Sequence, residues 1–516
     1  MVSRYLPLRW LAYVWISLLV AGAHSLASGL LGLVAYRLLG GGSGEPYHSI
    51  VFTVFGLLSL AVAYAIATLP KPELSREEAF LVGVLVWVST PLVSAIPLSL
   101  ALRIHYVDAL FESVSGWTTT GLTLMTGEYS SLGGFLPSPE ELPPSVQFWR
   151  SLSQWMGGLG ILALTAYLLA GHRLSIAYLY MVEGRFQRIS SNIYVAVREL
   201  SAVYIAFTIA IAIALYVAGM SFYDSIHHAM TSIATGGFST HRDSVGFYGS
   251  TLVHVVVLAA ILTGATSFLD LYYLLRLKLR KLLESVELKA LLTVCSIAVA
   301  LTTALWLVDP LTRSEFPSLF ALVFSSISAL ATAGFTVSDI SRADEAYKFL
   351  AITLMLVGGS AFSTAGGIKL LRVVVVAKSI SWEIESSLKP QSYVKPKRVG
   401  AYALDDALLR RTLVIVALYV ASVPLFATLI WLSLGGTVDY IDAMFESASA
   451  ISGTGLSVGV ARANSPLEVK ALLCLAMLLG RLEILAFLAA LAALASRLSK
   501  RTPLRAGSLR SLLSRV

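Results

Sequence analysis

Long apolar stretches recur along the whole chain, each close to the roughly 20 residues that an α-helix needs to cross a bilayer. They predict ten membrane helices, at residues 10–37, 48–69, 79–102, 146–170, 200–219, 251–275, 288–308, 348–376, 411–434 and 466–496. The intervals between them are too short for a separate soluble domain. The first stretch contains His24 and Ser25 and lacks a cleavage site, which indicates a retained helix rather than a signal peptide.

Four short segments, each lying between two apolar stretches, align with one another without a gap. They read FESVSGWTTTGLT (111–123), HHAMTSIATGGFS (227–239), FSSISALATAGFT (324–336) and FESASAISGTGLS (445–457). We number the aligned residues as motif positions 1 to 13. Position 5 is Ser or Thr, position 11 is Gly, position 12 is Leu or Phe, and position 13 is Ser or Thr. Four copies of one segment predict four repeats around a common axis.

Composition and charge place these repeats in a membrane. Hydrophobic residues make up 57% of the chain and charged residues 13%, and the mean hydropathy is +0.78. The net charge of +8 does not indicate nucleic-acid binding, because 28 of the 38 Lys and Arg lie before residue 10 and in 71–76, 172–198, 276–289, 369–411 and 497–515. Basic loops remain in the cytoplasm. We therefore expect a plasma-membrane protein with both termini cytoplasmic. The other segments carry more acidic than basic residues, which would concentrate cations at an outer entrance.

The same charges constrain the topology. The linkers between successive repeats are all basic, so they do not alternate between the two sides, and each aligned segment must enter the membrane and return. Such backbone is tolerated only where protein buries it or water reaches it. The expected fold is all-α, with four parallel helix–re-entrant loop–helix repeats around a pseudo-fourfold axis. The predicted divisions are a helix pair (1–70), repeat 1 (71–171), repeat 2 (172–275), repeat 3 with a broken gating helix (276–380), a cytoplasmic linker (381–407), repeat 4 (408–498) and a basic tail (499–516).

The chemistry of the aligned segments favours a cation filter. Asp108, Asp224 and Asp442 precede the motif by three residues, where a carboxylate suits both capping of a half-helix and its dipole. The carbonyl end of each half-helix favours a cation at mid-membrane, and rings of backbone carbonyls next to glycine hold dehydrated monovalent ions. Helix packing by Gly and Thr is the alternative, but it does not explain four copies in register. The predicted filter residues are Thr119, Thr120, Gly121, Leu122, Thr235, Gly236, Gly237, Phe238, Thr332, Ala333, Gly334, Phe335, Gly453, Thr454, Gly455 and Leu456.

Together with FWRSLSQWMGGLGI (148–161), GGSAFSTAGGIK (358–369) and GRLEI (480–484), these segments resemble the TrkH/KtrB/HKT superfamily of potassium transporters. The additional N-terminal helix pair resembles the TrkH branch. The resemblance implies that the glycines at position 11 line a potassium filter. A serine at the first of them is associated with sodium selectivity in some plant relatives, so Gly121 implies K⁺ as the transported ion. It also implies a homodimer with one pore per protomer and a separate nucleotide-binding regulatory subunit of the TrkA type, with no cofactor bound by this chain.

Two departures from the repeated pattern are visible. The third repeat has Ala321 where the others have Asp, and the fourth has Gly453 where the others have Thr. Neither replaces a filter glycine. Together they predict an asymmetric filter that is less selective than a true fourfold channel.

The third repeat also predicts a gate. Residues 354–373 read LMLVGGSAFSTAGGIKLLRV, and because glycine costs about 1 kcal/mol relative to Ala at each helical position, this stretch should break. In the family this segment is an intramembrane gating loop. A helix with a glycine-rich packing face is the alternative. The predicted gating residues are Gly358, Gly359, Ser360, Ser363, Thr364, Gly366, Gly367, Lys369 and Arg481.

Intramembrane charges indicate function by default. The resemblance places Arg481 beneath the filter, facing the gating loop, as a barrier to cations. An ion pair with Glu483 is not expected, because residues i and i+2 lie on different helix faces. Lys369 has two interpretations, part of the gate or a side chain extending to the cytoplasmic interface. Asp270 is either functional or a helix cap.

Other patterns do not support a different function. Cys295 and Cys474 lie within apolar stretches and predict no disulfide or thiolate site. His227 and His228 diverge on a helix, and the glycines near residue 158 lack the βαβ context of a dinucleotide site. The sequence shows no cluster of catalytic residue types that would indicate an enzyme. Two alternatives stay open, a sodium-conducting or sodium-coupled member of the same superfamily and, less favoured, a secondary transporter of an organic solute, a class that commonly has inverted repeats.

Overall fold

The computed structural model describes residues 6–38, 45–69, 76–160, 193–316, 318–388, 397–399, 402–403 and 406–499. The described chain is almost entirely helical. Its helices are α1 (Leu6–Leu38), α2 (Glu45–Ala67), α3 (Arg76–Leu102), α4 (Tyr106–Trp117), α5 (Pro144–Leu159), α6 (Ile193–Val217), α7 (Phe222–Ile233), α8 (Thr251–Ala265), α9 (Phe268–Leu275), α10 (Leu279–Glu284), α11 (Val286–Val308), α12 (Pro310–Glu315), α13 (Leu319–Leu330), α14 (Glu345–Val357), α15 (Leu370–Ser387), α16 (Asp406–Ser433), α17 (Tyr440–Ser452), α18 (Leu467–Leu482) and α19 (Ile484–Ser499).

Two short antiparallel pairs are the β-structure of the described residues. The strands β1 (Glu128–Tyr129) and β2 (Phe135–Leu136) pair with Glu128 opposite Leu136. The strands β3 (Arg398–Val399) and β4 (Tyr402–Ala403) pair with Arg398 opposite Ala403. The fold class is therefore all-α, as the apolar stretches predict.

Six described helices are long and apolar enough to cross a membrane, and the number rises to eight if two sharply bent pairs each count as one span. The six spans are Ala12–Leu38, Pro46–Ala67, Leu81–Leu102, Val197–Val217, Val286–Val308 and Leu409–Ser433. The total of ten stays a prediction. The stretch predicted at 146–170 is described only as far as residue 160, and the basic segments at 71–75, 172–192 and 500–516 also lie outside the described residues.

Two stretches predicted as continuous helices are broken, so those two predictions were wrong. The stretch 251–275 bends by 111° between α8 and α9, where Thr266 and Ser267 have extended backbone. The stretch 466–496 bends by 99° at Glu483, whose φ of +61° ends α18. Hydropathy did not reveal either break, because both halves of each stretch are apolar. The predicted break in 348–376 is present, between α14 and α15.

The helices that carry the aligned segments are short and buried. The four helices α4, α7, α13 and α17 contain 12 or 13 residues each. At 1.5 Å per residue they are about 18–20 Å long, too short to cross a hydrocarbon core of about 30 Å. Long helices surround them, with α16 packed on α17, α3 on α4, and α6 on α7.

The N-terminal helices α1 and α2 pack closely on each other and α1 also packs on α3 and α5. A Cβ atom built on Gly56 would lie 2.6 Å from the backbone nitrogen of Leu26, so glycine allows the two helices to approach. The buried His24 on α1 reaches the first repeat. Its ring lies 5.0 Å from that of Trp117, at the end of α4, and its Nε2 is 2.9 Å from the carbonyl oxygen of Trp149.

Candidate ion pathway

The four aligned segments have the same local backbone geometry. At the end of each short helix, the N–H of motif position 9 donates to the carbonyl of position 6 at 3.0, 3.0, 3.1 and 3.3 Å in repeats 1 to 4. The N–H of position 10 donates to the carbonyl of position 5 at 2.9, 2.8, 2.9 and 2.9 Å. The helix therefore closes with a tight turn in every repeat, and the residues after it continue as a non-helical strand.

This turn requires a left-handed residue at position 9. The φ angles are +56° at Thr119, +49° at Thr235, +48° at Thr332 and +68° at Gly453. Threonine is strained in this region, whereas glycine adopts it freely. The departure at Gly453 therefore preserves the backbone conformation of the other three repeats, and the predicted loss of selectivity stays a prediction.

The position-11 glycines contact one another in a closed ring. A Cβ atom built on Gly121 would collide with the Gly236 carbonyl, and one on Gly237 would lie 2.5 Å from the Ala333 oxygen. A Cβ on Gly334 would collide with the Thr454 carbonyl, and one on Gly455 with the Thr120 carbonyl. Each glycine thus faces the position-10 carbonyl of the next repeat, in the order 1, 2, 3, 4 and back to 1. The structure brings the four segments together around one axis with room for hydrogen only at position 11.

A wide cavity opens on one side of this ring. It has a volume of about 920 Å³ and touches all four position-11 glycines, together with Phe238 and Leu456. Its charged lining is balanced, with Glu128, Asp243 and Asp339 on one hand and Arg150, Arg242 and Arg462 on the other. Among the described residues, the lining of this cavity therefore has no excess of acidic over basic residues.

A narrow cavity lies on the other side. Its volume is about 40 Å³, which is space for about one water molecule. Thr119 and Gly453 from the aligned segments line it, as do several of the predicted gating residues. Those gating residues are Ser363, Gly366, Gly367, Lys369 and Arg481.

The broken segment between α14 and α15 crosses this narrow side. Gly358, Gly367 and Lys369 have φ angles of +71°, +75° and +80°, so the chain reverses direction rather than continuing as a helix. The break between α8 and α9 supplies its partners. The N–H of Ser360 donates to the carbonyl of Ala265 at 3.0 Å, and that of Phe268 donates to the carbonyl of Phe362 at 2.7 Å. The sequence analysis missed this role of residues 264–268, for which the run Gly-Ala-Thr-Ser inside an apolar stretch was the available indication.

The same segment also touches the ends of three short helices. Thr364 Oγ1 donates to the carbonyl of Ile233 at 2.8 Å, and the N–H of Gly366 donates to Thr332 Oγ1 at 2.7 Å. The N–H of Gly367 donates to the carbonyl of Ser452 at 3.0 Å. The broken segment is therefore held directly beneath repeats 2, 3 and 4.

Arg481 lies between the first repeat and the broken segment. Its Nη1 is 3.3 Å from Thr119 Oγ1 and 3.3 Å from the carbonyl oxygen of Thr364, and its Nη2 donates to the carbonyl of Gly157. Glu483 is not its partner, as the i, i+2 spacing predicts, and instead accepts hydrogen bonds from Arg372 on both oxygens at 2.7 Å. Lys369 donates to the carbonyl of Ala365 within the segment.

Asp108, Asp224 and Asp442 lie in the first turn of their helices, where a carboxylate suits the dipole as expected, but they are not the N-cap residues, so the expectation of capping was wrong. The N-cap residues are His105, Ser221, Ser318 and Asp439. Asp108 and Asp442 instead form ion pairs with lysines of other helices, at 2.7 Å to Lys470 and 2.6 Å to Lys348. Asp224 accepts a hydrogen bond from Thr240 Oγ1 at 2.7 Å. Lysines within two predicted membrane stretches were the indication that the sequence analysis did not use.

The remaining candidates have local partners. His227 contacts Ser151 Oγ through Nδ1 at 2.7 Å, and His228 contacts Ser239 Oγ through Nε2 at 2.9 Å, so the two rings diverge. Asp270 accepts a hydrogen bond from Ser285 at 2.8 Å and joins α9 to the start of α11.

Comparison with known proteins adds a family to this geometry. The model of the TrkH family, described as cation transport protein, matches residues 48–499. The chain is 32% identical to an uncharacterised cation transporter of Methanocaldococcus jannaschii over 85% of this chain and 86% of the relative. It is 30% identical to the Trk system potassium uptake protein TrkH of Halomonas elongata over 80% and 85%. The crystal structure of the potassium transporter TrkH from Vibrio parahaemolyticus superposes with a TM-score of 0.74 at 25% identity, covering 92% of this chain and 98% of that one.

Proposed function

Because the chain belongs to the TrkH family of cation transport proteins, we propose that it takes up potassium through a pore along the axis of the four aligned segments. The family predicted from the motifs is confirmed. The chain is an ion transporter rather than an enzyme, and it is a multi-pass membrane protein. Potassium is the ion named for the relatives from Halomonas elongata and Vibrio parahaemolyticus.

The closed ring of position-11 glycines is the observation that carries this proposal. Each glycine faces a position-10 carbonyl of the neighbouring repeat, and rings of carbonyl oxygens replace the hydration shell of a monovalent cation. The filter would consist of positions 9 to 12 of each repeat. Four parallel helix–loop–helix repeats, with the divisions predicted from the sequence, are the architecture that this ring supports.

The broken segment between α14 and α15 would act as the gate. The cavity beneath the ring has a volume of only about 40 Å³ and is lined by Arg481, Lys369 and Glu483, and its small volume supports a closed state. Opening would require residues 358–369 to leave their partners beneath repeats 2, 3 and 4. The glycines at 358, 359, 366 and 367 make a change of backbone conformation in this segment easy.

Assembly and orientation extend the proposal. The basic linkers support cytoplasmic termini and, with the family resemblance, docking of a separate nucleotide-binding subunit of the TrkA type on that face. A homodimer with one pore per protomer completes the proposed arrangement.

The test is ion flux in liposomes with K⁺, Rb⁺ and Na⁺ for the unmodified chain and for Gly121→Ser. We expect K⁺ and Rb⁺ to pass faster than Na⁺ in the unmodified chain. The serine Cβ would collide with the Gly236 carbonyl at a residue whose φ is +93°, so the variant should lose that preference. Equal K⁺ and Na⁺ flux in the unmodified chain would contradict a potassium filter and favour a sodium-conducting member of the superfamily.

A further inference from the structure

Motif position 2 links each short helix to the far end of its own filter segment in three of the four repeats. Position 2 is Glu112, His228, Ser325 and Glu446 in repeats 1 to 4, and position 13 is Thr123, Ser239, Thr336 and Ser457. In repeat 1, Thr123 Oγ1 donates to Glu112 Oε1 at 2.6 Å. In repeat 4, Ser457 Oγ donates to Glu446 Oε1 at 2.7 Å. In repeat 2, His228 Nε2 and Ser239 Oγ are 2.9 Å apart.

The two carboxylates also accept backbone hydrogen bonds from the residues that follow. The N–H of Leu124 donates to Glu112 Oε1 at 2.5 Å. In repeat 4 the N–H of Val458 donates to Glu446 Oε2 at 3.2 Å and that of Ala461 donates to Oε1 at 2.8 Å. The outer end of the segment is thus held by side chain and backbone together.

The hydroxyl at position 13 makes the same turn in these three repeats. It accepts the N–H of the residue two places later, at 3.1 Å from Met125, 3.1 Å from His241 and 3.0 Å from Gly459. Because the position-10 N–H is bonded to the position-5 carbonyl, each segment is held at both ends. We expect these bonds to restrict rotation of the carbonyls between the two ends.

The side chains that hold these ends are completely buried. Glu112, His228 and Glu446 each have 0% exposure, so water does not replace a lost partner easily and a broken bond carries its full penalty. Arg150 lies 3.7 Å from Glu112 Oε2 and donates to the carbonyl of Ser239 at 3.0 Å. Arg150 therefore connects the position-2 residue of repeat 1 with the position-13 residue of repeat 2.

The third repeat is held in a different way. Ser325 donates to the carbonyl of Ala321 in its own helix at 3.1 Å. The position-13 residue is instead bonded by repeat 2, because the N–H of Thr336 donates to Ser244 Oγ at 3.2 Å and the N–H of Gly246 donates to the carbonyl of Thr336 at 3.1 Å. Ser325 is thus a natural control at the same motif position.

We propose that Glu112, His228 and Glu446 are positioning residues for ion selection, which hold the outer ends of three filter segments so that their carbonyls keep the spacing that discriminates K⁺ from Na⁺. The inference rests on the proposed function, since it assumes that these segments form the filter. Discrimination between the two ions depends on the geometry and field strength of the coordinating carbonyls. Loss of a hydrogen bond between motif positions 2 and 13 should therefore change the ratio of the K⁺ and Na⁺ fluxes, and not only the total flux.

The test compares K⁺ and Na⁺ flux in liposomes for the full chain carrying Glu446→Ala, Glu446→Gln, Ser457→Ala or Ser325→Ala. We expect Glu446→Ala to lower the K⁺/Na⁺ ratio about tenfold, which corresponds to the contribution of about one hydrogen bond. Glu446→Gln keeps an acceptor for Ser457 and Ala461 but loses the one for the N–H of Val458, so it should restore part of the ratio. Ser457→Ala should lower the ratio less than Glu446→Ala, and Ser325→Ala should leave it unchanged.

The outcomes separate this inference from the proposed function. An unmodified chain that does not discriminate K⁺ from Na⁺ overturns the proposed function. If the unmodified chain discriminates, a constant ratio in Glu446→Ala and Ser457→Ala overturns the inference, even where total flux falls. An equal fall in Ser325→Ala also overturns it. Should Glu446→Ala fail to elute as a folded protein, Ser457→Ala is the deciding variant, and an unchanged K⁺/Na⁺ ratio in it overturns the inference.

Discussion

Replacing Arg481 with glutamine should open the closed pathway to cations. The guanidinium contacts the first aligned segment at Thr119 and the broken segment at Thr364, both at 3.3 Å, and its carbon lies 5.2 Å from the ring centre of Trp87. Three separate elements therefore hold the positive charge on the narrow side of the glycine ring. Arg481→Gln removes the positive charge, while the glutamine amide still offers donors to the oxygen atoms that the guanidinium contacts.

The size of the effect follows from the narrow cavity. Within its volume of about 40 Å³, a cation would lie roughly 4 Å from the guanidinium, and two unit charges at that separation repel by about 4 kcal/mol at an effective dielectric constant of about 20. Since each 1.36 kcal/mol changes a rate about tenfold, the upper limit is an increase of about a thousandfold. The Glu483 carboxylate lines the same cavity and offsets part of this repulsion, and the broken segment still obstructs the passage, so we expect an increase nearer to tenfold.

The assay is K⁺ efflux from liposomes that contain the purified chain without a regulatory subunit. Arg481→Lys is the matched control, because it retains the charge and should retain the slow flux. Size-exclusion chromatography and a thermal melt establish that both variants are folded. If Arg481→Gln conducts no faster than the unmodified chain, or if Arg481→Lys conducts as fast as Arg481→Gln, the electrostatic barrier is refuted.

Two further predictions concern ion pairs that join helices around the candidate pathway. Lys470→Met leaves the Asp108 carboxylate, whose side chain has 0% exposure, without its cation. The variant should therefore lose about 3–5 kcal/mol of stability. The double variant Asp108→Asn with Lys470→Met should recover part of that loss in a thermal melt. A single variant as stable as the double one would contradict this. Glu483→Gln breaks the pair with Arg372 at the start of α15. Because this frees the broken segment, it should raise K⁺ leak through liposomes even though it removes a negative charge from the narrow cavity. Lys397→Gln, which breaks the exposed pair with Asp406, should not raise it, and equal leak in both variants would contradict a role of the Arg372–Glu483 pair in keeping the pathway closed.

Much of the site was readable from the sequence because its geometry is local. The turn at positions 9 and 10 depends on hydrogen bonds to residues three and five places earlier, and the required glycine at position 11 repeats in every copy. The break in 348–376 was readable for the same reason, since four glycines and three hydroxyl side chains weaken a helix wherever it lies. By contrast, the breaks at 266–267 and 483 have apolar helices on both sides, and the hydropathy of those stretches resembles that of continuous spans.

The sequence by itself determined the family, the all-α membrane class and the four aligned segments, because repetition, apolar length and glycine placement are properties of neighbouring residues. Only the tertiary structure decided which groups meet. The order of the glycine ring, the pairing of Asp108 with Lys470, the pairing of Glu483 with Arg372 and the bonds from the α8–α9 break to the broken segment join residues up to 362 positions apart. No local pattern encodes such contacts, because in a membrane a buried charge or an exposed carbonyl requires a partner, and its position along the chain is set by how the helices pack.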